Sequence, residues 1–135
     1  MVFLIIILSI IWLFLIAYSG YSKAVCDVLW FHFETSIFKD RDPQYWNPVI
    51  SSENKYKSKK WGITTFFVFT TDAWHKYQFY RINLKYISLF IIALISILFF
   101  KLLIYKLIYL IISFMLNRIL FGLAFELSYR KLYKK

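Results

Sequence analysis

Apolar runs occupy both ends of the chain, and a polar, aromatic stretch separates them. Met1 to Ser22 carries no charged side chain, and Val2 to Tyr18 is almost entirely Ile, Leu, Phe and Trp. Seventeen residues rising about 1.5 Å each reach about 26 Å, and continuing to Ser22 covers a bilayer core of about 30 Å. A secretory signal peptide has a basic n-region and a small-residue cleavage site. No basic residue precedes Lys23, and "YSKAVC" is a poor cleavage site. The run is therefore expected to be an uncleaved transmembrane helix.

The second apolar region starts near Ile82. Tyr86 to Phe100 is free of charge; Lys101 and Lys106 follow, then Leu107 to Asn117, Arg118, and Ile119 to Phe125. As one straight helix the stretch from Tyr86 to Phe125 would measure about 60 Å, twice the bilayer core. Two spans joined near Lys101–Lys106 fit that length, with both lysines snorkelling to one headgroup layer. "KLLIYK" contains no Gly, Pro or Asn, so a single tilted span followed by an interfacial helix stays open as the competing arrangement. The fold expected is an all-α membrane protein of about three transmembrane helices, with an aromatic interfacial segment between the first and second. Its parts are a first span over 1–22, an interfacial aromatic and basic segment over 23–81, a helical hairpin over 82–127 and a basic tail over 128–135.

Within the middle segment, Ala24 to Phe38 reads as an interfacial or core helix. Asp27, Phe31, Glu34 and Phe38 recur on one face. The first span can run into it through Gly20, since one helical glycine costs only about 1 kcal/mol. Asp42-Pro43 and Asn47-Pro48 then predict turns in an irregular excursion, because proline pushes the preceding residue out of the α region. "ITTFFVFTT" has strand propensity, but one short strand in lipid leaves its backbone unsatisfied. It is expected to be helical against the first span. Thr70 or Thr71 is expected to cap a helix starting near Asp72, whose carboxylate suits the positive end of the helix dipole. Trp74 and Tyr77 would anchor that helix at the interface.

Composition sharpens this picture. Of 135 residues, 61% are hydrophobic, mean hydropathy is +0.60, and Gly (3) and Pro (2) are scarce. The formal net charge is +10. In a soluble domain that balance suggests nucleic acid; in an apolar chain it suggests anionic lipid headgroups and control of topology. No nucleic-acid-binding module accompanies the charge. Ten Lys or Arg lie in 19–85 and four in the tail (Arg130, Lys131, Lys134, Lys135). Three spans with the N-terminus outside place both groups in the cytoplasm. The single cysteine, Cys26, excludes an intrachain disulfide and a Cys-rich zinc site.

Candidate chemistry is sparse. Lys55, Lys57, Lys59 and Lys60 cluster with Tyr56 and Trp61, a patch suited to lipid phosphates or to a partner at the membrane surface, and equally to a plain topology signal. Asp27, His32, Asp72 and His75 are the candidate catalytic or metal-ligating residues, the His and Asp types being able to bind a divalent ion or form carboxylate-oriented bases. Asp72 and His75 share a helical face at i, i+3, whereas Asp27 and His32 lie about 140° apart around a helix. The commoner role of such groups is to tie a loop to helices by buried hydrogen bonds. Arg118, beside Asn117 midway through the third span, is an ionisable residue where one is costly. It is a candidate for lipid or partner binding, with Glu126, Asp27 or Glu34 as possible counter-ions. No cofactor motif is present.

The stretches "DVLWFHFETSIF", "YWNPVISSENKYK" and "GITTFFVFTTDAWH" together resemble a small, uncharacterised integral membrane protein family of Bacteroidetes and their phages. The resemblance covers roughly residues 24–80; "SSENKYK" and "GITT" depart from that family's pattern. It implies a bacterial inner-membrane location and no particular activity. The principal reading is a non-enzymatic structural or accessory membrane protein that binds lipid headgroups, another membrane protein or itself. Three other readings stay open: a metal-binding protein or enzyme using the four His and Asp residues, a holin-like permeabilising protein, and a small subunit of a large membrane complex, bacterial or organellar.

Overall fold

The computed structural model describes residues 2–54 and 67–133. Three long helices dominate: α1 (Val2–Phe31), α4 (Ala73–Phe99) and α5 (Leu103–Leu132). Each is long and apolar enough to cross a bilayer, so the chain has the build of an all-α integral membrane protein. Among the described residues between α1 and α4 are two single-turn helices, α2 (Pro43–Trp46) and α3 (Pro48–Ser51).

α1 is the central element and packs against both other long helices, which touch each other much less. Three contacts fix the register. The Ser19 hydroxyl donates to the Arg81 carbonyl at 2.8 Å, and Trp12 Nε1 donates to Asn117 Oδ1 at 2.9 Å. Gly20 sits against Phe121 and Ala124. α4 therefore runs antiparallel to α1, and α5 parallel to it.

Gly20 lets α1 and α5 approach closely. A Cβ there would lie 2.6 Å from the Phe121 carbonyl oxygen and 2.9 Å from the Ala124 Cβ. Small residues at helix crossings serve this purpose in membranes, where apolar association has no hydrophobic drive. Outside the crossings, large apolar side chains such as Phe3, Phe14, Phe90, Ile111 and Phe114 are exposed. That surface suits lipid rather than water.

Two apolar clusters lie along the bundle. One joins Trp12 to Ile91, Ile92 and Ile95. The other gathers Ala24, Val25, Val28, Leu29, Phe38, Ala73 and Leu132 beneath a cap of aromatic rings. The cap closes when the chain turns back on the end of α5: Ile37 N donates to the Leu132 carbonyl at 3.0 Å. Phe38 stacks on Trp46 at 4.9 Å, and the Arg41 guanidinium lies over the Trp46 ring at 5.1 Å. Residues 36–46 and the end of α5 thus share one end of the bundle, with Lys101 at the other.

Several expected boundaries move. The helix expected over Ala24–Phe38 ends at Phe31, because the His32 ring packs on Tyr133 and Tyr129 and redirects the chain. Glu34 falls in a 3-10 turn (Phe33–Thr35), so the four-residue face does not form. α1 runs nine residues beyond Ser22, straight through Gly20. Asp42 and Asn47 do more than turn the chain: each caps a one-turn helix, accepting from Gln44 N and Val49 N at 3.0 Å, with proline at the first position. α4 begins at Ala73, at the helix start expected near Asp72, and runs on unbroken past Ile82 into the apolar region; its cap is Asp72 itself rather than Thr70 or Thr71. Val68–Thr70 forms a 3-10 turn. Phe100 to Leu102 separate α4 from α5, so the second apolar region is two helices and not one tilted span.

Candidate functional site

Four cations from three helices border one cavity of about 490 Å³: Lys23 of α1, Arg81 and Lys85 of α4, and Arg118 of α5. The helix register places them. The Ser19–Arg81 bond sets Arg81 beside the polar half of α1, and Lys85 follows one turn later on the same face. The Trp12–Asn117 bond sets the height of α5, so Arg118 meets Lys85. Ile82, Tyr86 and Phe121 also line it, and among the described residues no carboxylate does.

Only Lys23 of the four has an acidic partner among the described residues; it pairs with Asp27, one turn along α1. Glu126 accepts from Arg130 Nε at 2.7 Å. The expected partners of Arg118 are thus engaged elsewhere or, in the case of Glu34, make no ion pair among the described residues. Arg81, Lys85 and Arg118 thus present like charges to one cavity.

An apolar recess of about 240 Å³ adjoins the cavity and shares Lys85, Arg118 and Phe121 with it. Ile16, Leu89, Phe114 and Asn117 form the rest. Asn117 is buried between the helices. Trp12 Nε1 can only donate, so the Asn117 atom it meets is the oxygen. The Ser88 hydroxyl lies 3.3 Å from the same oxygen and 2.7 Å from the Lys85 carbonyl. The Asn117 amide nitrogen has no protein partner among the described residues.

Asp72 and His75 do come together. Asp72 is 1% exposed; its Oδ1 accepts from the His75 backbone N–H at 2.9 Å, and its Oδ2 lies 2.6 Å from His75 Nδ1. The Thr71 hydroxyl is 3.1 Å from Oδ2. Burial pushes the Tyr45 phenol up from its ordinary range, and the Asp72 carboxylate adds to that. The pair borders a cavity of about 200 Å³ with Trp30, Pro48, Ser52 and Trp74. Asp27 lines a different cavity, although Trp30 and Trp74 border both. His32 stacks on Tyr133, with ring centroids 4.6 Å apart. The four-residue constellation therefore does not assemble. Among the described residues no three His, Cys, Asp or Glu side chains are grouped to hold a metal ion. What remains is a helix cap that orients a histidine.

Lys55, Lys57, Lys59, Lys60 and Trp61 lie outside the described residues. Lys23, Arg81 and Lys85 were legible in the sequence only as topology charges; the small-residue register of Ser19 and Gly20 was the signal that could have united them with Arg118. Comparison with protein-family models, with curated proteins and with solved structures finds no match to this chain.

Proposed function

We propose that this chain is a non-enzymatic structural or accessory membrane protein that holds anionic lipid headgroups at one face of the bilayer. The observation carrying this reading is the cavity bordered by Lys23, Arg81, Lys85 and Arg118, with no carboxylate among the described residues that line it. Basic pockets between transmembrane helices suit phosphate headgroups, each basic residue near an anionic surface contributing about 1 kcal/mol. The polar end, with its connecting segment and tail, faces the cytoplasm, and the N-terminus lies outside. The charge bias supports this orientation, and the family resemblance supports a bacterial inner membrane.

The test is lipid retention. Protein reconstituted in equal phosphatidylglycerol and phosphatidylcholine is extracted gently, and its bound lipid is quantified by mass spectrometry. Phosphatidylglycerol is expected to be enriched severalfold, and Arg81→Gln/Lys85→Gln/Arg118→Gln should abolish the enrichment. Equal retention of both lipids by the unmodified protein would refute the proposal.

A further inference from the structure

We infer that the cationic cavity and the apolar recess beside it form one site for a single phosphate-bearing lipid, with its headgroup on the cations and one acyl chain in the recess. The inference rests on the headgroup reading and adds the chain. The two spaces adjoin: Lys85, Arg118 and Phe121 line both.

Chemistry changes along the site in the order that a phospholipid requires. Arg81, Lys85 and Arg118 offer positive charge without a protein counter-ion among the described residues. Asn117 comes next: Trp12 engages its oxygen, so its amide nitrogen remains a donor for an ester carbonyl. Beyond it, Ile16, Leu89 and Phe114 supply apolar walls. An inorganic anion satisfies only the first part of this sequence, and a neutral lipid only the last. Charge complementarity and apolar lining together select the anionic amphiphile.

The experiment uses the full chain in detergent and measures binding by native mass spectrometry. The probes are dioleoyl phosphatidylglycerol, dihexanoyl phosphatidylglycerol, dioleoyl phosphatidylcholine and inorganic phosphate. The dioleoyl anionic lipid should bind on the order of tenfold more tightly than its short-chain counterpart, since burying a few methylenes at about 0.8 kcal/mol each reaches that ratio. Leu89→Trp, which fills the recess and leaves every cation in place, should erase this chain-length preference. Arg81→Gln/Lys85→Gln should weaken both anionic lipids. If both chain lengths bind equally to the unmodified protein, the recess holds no acyl chain and the inference falls while the headgroup reading stands. If inorganic phosphate competes as well as the long-chain lipid, the ligand is a free anion and the inference also falls. If phosphatidylcholine binds as well as phosphatidylglycerol, the headgroup reading fails and takes the inference with it. The chain-length comparison needs no variant, so misfolding of Leu89→Trp leaves the test intact.

Discussion

Asn117 carries a different burden from its charged neighbour. It bonds Trp12 across helices, close to Ser88, at the height where all three spans meet. Asn117→Leu removes that acceptor and strands the Trp12 N–H. A loss of about 1 kcal/mol is expected from unfolding in mixed micelles, the range of interhelical hydrogen bonds in membranes. Asp72 is predicted to act through its cap. Asp72→Ala should cost about 1–2 kcal/mol, whereas Asp72→Asn, which keeps an acceptor for the His75 N–H, should cost distinctly less. Equal losses in a thermal melt would point instead to the charge on the carboxylate. The sequence already showed Asp72 and His75 on one helical face, because i, i+3 spacing is local information. It could not show that Asp27 and His32 face other neighbours, since that depends on where the end of α5 returns.

Helix ends show the same division. Asp42-Pro43 and Asn47-Pro48 are legible as turns from two residues each, although not as the helix caps they prove to be. The break between α4 and α5 left no such mark. Phe100 and Leu102 adopt extended dihedrals open to any L residue, so neither Gly nor Pro was needed, and the Phe100–Tyr109 ring contact at 5.0 Å braces the turn. Length alone revealed it, through forty residues too long for one span. Gly20 shows the opposite failure. Propensity treats it as a mild helix weakness, whereas its importance lies in the surface of α5. Gly20→Val should force the Phe121 backbone away and cost about 1–3 kcal/mol, as overpacking does. Gly122→Val offers a control, because a Cβ there meets nothing within 4 Å. Its melting temperature should fall far less.

Across the whole molecule, cations and apolar surface are arranged by the same register. Parallel α1 and α5 with antiparallel α4 gather residues 32–54 and the end of α5 at one end, set the cationic cleft between that end and the middle of the helices, and leave Lys101 at the other end. Positive charge that the sequence displayed only as scattered residues becomes one site because three helices present it at similar heights. Everything proposed for the cleft requires those helices to thread the bilayer. The most direct check is sided cysteine labelling in sealed vesicles, in a Cys26→Ala background, with single cysteines at Ser52→Cys, Arg130→Cys and Lys101→Cys. A membrane-impermeant maleimide should label positions 52 and 130 from the same side and position 101 only from the opposite side. Labelling of all three from one side would contradict the three-span account.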